Sequence, residues 1–142
     1  MPYMPDAMPI PNVEDWDTKD WWAHCKKHEL TVQRCTDCGT FRHSPQPVCY
    51  NCLSWNYEWK KVSGKGVVFS YIICHYPAMA AVKTRVPYNV LLVELPDAGN
   101  QRMVGNLIDG TPNEDIHVGM PVEVTWEDID ETLTLPQWKR AT

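Results

Sequence analysis

Cys35-Thr-Asp-Cys38 and Cys49-Tyr-Asn-Cys52 are two C-x-x-C pairs separated by ten residues, and they restrict this chain more than any other feature. A C-x-x-C turn lets two thiolates approach one ion, and two such turns complete a tetrahedron. Gly39 follows the first turn, where tight backbone geometry is commonly required. Pro45 and Pro47 stiffen the approach to the second. Extended residues flank both, Leu30 to Arg34 before and Tyr57 to Val62 after, so residues 30–62 read as a rubredoxin-like zinc ribbon. Four unrelated core cysteines would not be paired at this spacing. Iron suits the same four thiolates, and the spacing does not decide between it and zinc. Four protein ligands leave no open position for water, so the zinc is expected to be structural and to do no chemistry.

The rest of the 142-residue chain falls into two segments around the ribbon. Residues 1–29 begin with Pro2, Pro5, Pro9 and Pro11 interleaved with Tyr3, Met4, Met8 and Ile10. Proline at this density opposes a helix and favours extended backbone. A disordered tail and a strap along a partner both fit. A helix is predicted over Thr18 to Glu29, with Asp17 as N-cap and Lys26, Lys27 and His28 in the last turn. Trp21, Cys25 and His28 share one face, which Trp22 widens. Residues 63–142 change to strand patterning. Gly66 to His75, Tyr88 to Leu95, Arg102 to Leu107, Val122 to Glu127 and Leu133 to Trp138 are the five strand candidates. Turn chemistry at Asp97–Asn100 and Asp109–Pro112 separates them. Five short strands predict a small closed or partly open barrel, preferably an OB-fold, with a sandwich as the fallback. The class is mainly β.

Several functions lack their residues. A formal net charge of -5, with the densest basic groups only pairs such as Lys60-Lys61, argues against nucleic acid. The barrel half carries six Lys/Arg against ten Asp/Glu, where a single-strand-binding OB groove wants cations among its aromatics. A nucleic-acid module nevertheless stands as the alternative, because ribbons and OB-folds both recur there. No run approaches the ~20 apolar residues that span a bilayer, and the N-terminus does not fit a signal peptide. A cytoplasmic chain is expected. His24-Cys25-Lys26-Lys27-His28 lacks the glutamate of a zinc-protease helix, although His28 at i+3 could reach Cys25. Cys74 is expected to share a packed face with Val68, Ser70 and Ile72. Glu127, Asp128, Asp130 and Glu131 lack calcium-loop spacing and read as a solvated hairpin turn. No catalytic residue is assigned.

The loop from Tyr76 to Pro87 is apolar until Lys83-Thr84-Arg85, a composition suited to covering a groove or touching another chain. Its basic end could meet an anionic group such as a phosphate.

Longer motifs carry a resemblance. Trp22, His28-Glu29-Leu30, Gln33-Arg34-Cys35-Thr36-Asp37-Cys38-Gly39, Pro47, Cys49, Cys52 and Glu58-Trp59 stand in the order of one family. So do Val62-Ser63-Gly64-Lys65-Gly66, Ser70, Pro87-Tyr88, Leu92-Val93-Glu94-Leu95 and Gly119-Met120-Pro121-Val122. From about residue 15 onward the chain resembles the bacterial and archaeal zinc-ribbon/OB-fold family associated with acyl-CoA enzymes. The resemblance implies a non-catalytic partner subunit of a thiolase-like enzyme: a thiolase, including that of anaerobic toluene breakdown, or a retro-aldolase of steroid side-chain degradation. It also implies a hetero-oligomer in which the OB domain packs on the thiolase and contributes to a site or passage for CoA. On that reading Trp16, Trp21 and Trp22 are expected at the interface, since aromatic anchors dominate such contacts. Lys83 and Arg85 are expected against CoA phosphate.

Overall fold

The structure is a computed structural model and describes residues 3–142. The predicted helix forms as α1 (Lys19–Lys26), shorter at both ends than its pattern. Thr18 occupies the N-cap position without a side-chain cap, so the Asp17 assignment fails. The Asp15 carbonyl instead accepts the Thr18 and Lys19 N–H groups. At the other end His28 adopts φ 58, which stops the helix and takes its imidazole off the Trp21–Cys25 face.

The ribbon is a three-stranded antiparallel sheet of β1 (Thr31–Cys35), β2 (Phe41–Arg42) and β3 (Tyr57–Lys61), in the order β2-β1-β3. Next come β4 (Lys65–Cys74), β5 (Tyr88–Leu95), β6 (Gln101–Gly105), β7 (Pro121–Asp128) and β8 (Thr134–Arg140). Their order is β6-β5-β4-β7-β8, antiparallel throughout. This sheet curls into an OB-like half-barrel. Just past β6, Leu107 bridges Trp138 of β8 in parallel, with the Trp138 N–H donating to the Asn106 carbonyl and the Ile108 N–H to that of Trp138. The barrel is thus the partly open form. Trp138, fully buried, fills the seam; a Cβ at Gly105 would lie 2.7 Å from its indole nitrogen.

β5 alternates cleanly, with Asn89, Leu91, Val93 and Leu95 buried and the residues between them half-exposed. β4 does not. Val68 pairs with Val93 and Ser70 with Leu92, leaving Phe69 as a bulge. One extra residue reverses every later side chain. Tyr71 and Ile73 therefore pack on the core, while Ile72 is 59% exposed and Cys74 is half-exposed rather than packed beside Val68. One hydrophobic cluster joins Trp21 and Cys25 of the helix, Leu30 and Val32 of the ribbon, and the barrel interior. No helix among the described residues is long and apolar enough to cross a membrane.

Candidate metal centre

The two C-x-x-C turns have the same backbone. The Gly39 N–H donates to the Cys35 carbonyl and the Leu53 N–H to that of Cys49, both at 2.9 Å. The Cys35 N–H donates to the Thr40 carbonyl and the Cys49 N–H to that of Ser54, again both at 2.9 Å. Gly39 has φ 77 and Leu53 has φ 63. Leucine thus stands in the left-handed position where the first turn has glycine, and it is 73% exposed. The sequence carried no signal for this, since leucine in that conformation is strained.

These turns bring the four sulfurs within 4.8 Å of one another. Cys35 Sγ lies 3.6 Å from Cys52 Sγ, and Cys38 Sγ lies 3.6 Å from Cys49 Sγ. Bonds of about 2.3 Å to a central zinc require tetrahedral sulfur–sulfur edges of roughly 3.8 Å, so the residues fit the ion. The electrostatics agree. Hydrogen bonding to the Cys38 and Asp37 amides holds Cys35 below the ordinary thiol range, with desolvation opposing. The Thr40 hydroxyl and amide, with Asn51, lower Cys38 to about 5. Cys52 behaves oppositely. The Ser54 amide favours its thiolate, but desolvation and the three neighbouring sulfurs push it up to about 12. Four thiols this close cannot all ionise without a cation among them. Around them, Asp37 accepts hydrogen bonds from Ser54 Oγ and Asn56 Nδ2, which hold its carboxyl low and brace the first turn against the second. Cys35, Cys38, Cys49 and Cys52 would hold a zinc ion that closes and rigidifies the ribbon, and with four protein thiolates it would have no open position for substrate.

The other expected residues lie apart. Trp21 is 7% exposed, with its indole N–H donating to the Thr31 carbonyl at 3.0 Å. Trp22 packs edge-on against it and is half-buried. Of the three, Trp16 is the one in solvent, 71% exposed. Composition reading missed its companions. Trp55 and Tyr57 line the same shallow groove as Trp16, and Tyr50 and Leu53 stand exposed on the second metal turn. Their signal was present: large apolar residues in a ribbon, residues 30–62, too small to bury them.

Lys83 is exposed, and Arg85 is half-buried with Nη1 donating to the Tyr3 carbonyl at 2.6 Å. Over residues 3–8 the proline-rich segment is therefore a strap rather than a free tail. It lies on this chain's own barrel, with the Met4 N–H donating to Glu127 at 2.8 Å. Glu127 is only 5% exposed and also accepts from Gln137, so the acidic run is not wholly a solvated turn. Asp130 does cap that turn, accepting the Thr132 and Leu133 N–H groups. Cys25 is sealed, its thiol pushed up to about 12 by burial, and His28 faces Asp128 instead of it. No Cys/His dyad exists there.

Fold and site together define a zinc-ribbon/OB-fold protein. The rubredoxin-like zinc ribbon profile named for ChsH2 matches residues 22–58, and the ChsH2 C-terminal OB-fold profile matches residues 59–127. A "DUF35 domain-containing scaffold protein" of Methanocaldococcus jannaschii is 32% identical over 112 residues, 78% of this chain and 77% of the relative. The chain belongs to this ChsH2-type DUF35 family. It is also 39% identical over 125 residues, 88% of its length, to the "Probable enoyl-CoA hydratase alpha subunit" of Thermomonospora curvata. It spans only 38% of that protein, and 39% of the "3-oxo-4,17-pregnadiene-20-carboxyl-CoA hydratase alpha subunit" of Mycobacterium tuberculosis. Among solved structures, a chain of the "Ltp2-ChsH2(DUF35) aldolase" superposes with TM-score 0.81 at 38% identity, covering 95% of this chain and all of that one. These relatives are named as a scaffold, as alpha subunits and as part of an aldolase, and this chain shares their ribbon with its four clustered cysteines.

Proposed function

We propose that the chain is the non-catalytic accessory subunit of a thiolase-like enzyme that cleaves a C–C bond in an acyl-CoA, as a thiolase or a retro-aldolase. The partner carries the cysteine nucleophile; this chain supplies surface and rigidity in the cytoplasm. The observation that carries the reading is the aromatic face of the ribbon. Trp16, Tyr50, Leu53 and Trp55 are each more than two-thirds exposed; Tyr50 and Leu53 stand on the second metal turn, and Trp16 and Trp55 line one shallow groove. Exposed apolar clusters of this kind mark protein interfaces, and tryptophan and tyrosine dominate their energetics. Trp16 leads that contact with the edge of Trp22, and Trp21 holds the helix beneath them.

In this reading residues 1–29 form strap and helix, 30–62 the zinc-fixed docking unit and 63–142 the barrel that faces CoA. Lys83, exposed and outside every ion pair among the described residues, is free to meet a CoA phosphate, and Arg85 reaches one when it leaves the Tyr3 carbonyl. Affinity purification of the tagged chain from its own cell, followed by identification of what elutes with it, tests the proposal. A stoichiometric thiolase-like companion is expected. Elution alone, or with nucleic acid, would overturn it.

A further inference from the structure

A cavity of about 430 Å³ lies between the strap and the seam of the barrel, away from the four cysteines. That volume is within the range of small-molecule sites. Met4 and Met8 of the strap form one wall; Val82, Leu107, Ile108 and Leu135 form the others. The polar groups at its floor are engaged with one another. Asn106 Nδ2 donates to the Asn89 carbonyl, and the Gln137 carboxamide accepts the Asn106 N–H and donates to Glu127. Glu127 stands behind Gln137, outside the lining.

Arg85 differs from them. It lines the cavity half-buried, and among the described residues no carboxylate lies within ion-pair distance of it, in a chain with more acids than bases. Its partner is the Tyr3 carbonyl, a neutral acceptor. A partly desolvated guanidinium prefers an anionic oxygen to a neutral one, because charge-assisted pairs are about twice as strong. Among the described residues two hydrogen bonds, this one and Met4 N–H to Glu127, tie the strap to polar groups of the rest of the chain here.

We propose that this cavity is a ligand site for a small amphipathic carboxylic acid, and that the Tyr3 carbonyl of the strap holds the place of its carboxylate. The apolar body of the acid lies among Val82, Leu107, Ile108 and Leu135, and its carboxylate takes the place of the Tyr3 carbonyl on Arg85. The methionines of the displaced strap close over the body, a role for which their flexible thioether chains are suited. The site shares Arg85 with the subunit reading but needs neither a partner chain nor CoA, so binding by the chain alone, without CoA, tests it separately.

Calorimetric titration of the zinc-loaded full chain with decanoate, below micelle-forming concentrations, and with decanol tests this. Decanoate is expected to bind one to one, about tenfold or more tighter than decanol, the cost of losing one charged hydrogen bond. Arg85→Gln should bring decanoate down to the level of decanol, and Arg85→Lys should restore part of the difference. Glu127→Gln, which keeps the shape but weakens the strap's second tether, should tighten decanoate several-fold. Equal affinities for acid and alcohol, an unchanged decanoate affinity in Arg85→Gln, or no binding by the intact chain would each overturn the site.

Discussion

Replacing Trp21 by alanine separates a core tryptophan from an interface tryptophan. Trp21 is 7% exposed, contacts Trp22 at 4.7 Å between ring centroids and His43 at 5.3 Å, and donates its N–H to the Thr31 carbonyl. Truncating a buried tryptophan costs about 3–5 kcal/mol, transfer and cavity together. The lost hydrogen bond to Thr31 adds about 1 kcal/mol. At about 2–4 °C per kcal/mol for a chain of this size, Trp21→Ala should lower the midpoint of thermal unfolding by roughly 8–24 °C. Differential scanning calorimetry in zinc-saturated buffer reads this directly. Trp16→Ala, at 71% exposure, should stay within about 0.5 kcal/mol of the parent, because surface substitutions rarely do more. If Trp21→Ala melts within about 2 °C of the parent, or Trp16→Ala falls as far as it does, the division of roles drawn here is wrong.

Other consequences follow from the same geometry. Chelating the metal should unfold the ribbon, because structural zinc contributes about 10–16 kcal/mol in ribbon-sized units, more than a typical domain's whole stability; an unchanged melting curve with zinc removed would contradict a structural role. Leu53→Gly should stabilise the second turn by about 0.5 kcal/mol, since left-handed leucine costs roughly 1–2 kcal/mol and glycine loses about half of that relief to entropy; a lower melting temperature would refute the strain. Asp128 is held below its ordinary range first by the Thr134 hydroxyl and then by His28, so its folded pKa lies under its unfolded one. Its contribution is therefore present above the ordinary carboxylate value of about 4 and lost as pH falls through the lower folded value. Acid melting curves of Asp128→Asn should lack that part of the decline, and a parallel decline would show the shift to be absent.

What could be read from the sequence depended on how local its cause is. The ribbon follows from cysteine spacing, and Tyr88–Leu95 matches the observed β5 because strict alternation encodes a two-faced strand. The face reversal in β4 was illegible: Val67-Val68-Phe69-Ser70-Tyr71-Ile72-Ile73 is apolar on both sides, so nothing marks Phe69 as the bulge. His28 ended the helix through a left-handed backbone that its residue type only weakly favours. Its imidazole then stacks on Trp126 at 5.4 Å and bonds Asp128, fastening helix to barrel across a hundred residues. The two-residue β2 was missed because its pairing with β1 depends on the metal turn between them. Trp16 and Trp21 could not be told apart while the helix start was placed at Asp17. The strap's return to its own barrel depends on Arg85 and Glu127, far away in sequence, and composition carries no trace of it.

The most direct measurement is turnover by the purified, zinc-loaded chain, assayed alone for thiolysis and retro-aldol cleavage of acyl-CoA substrates and then again with its companion. No cleavage at any concentration of the chain alone is expected, and cleavage with the companion should vanish when the companion's cysteine is replaced. Appreciable turnover by this chain alone would contradict a structural zinc and a non-catalytic role.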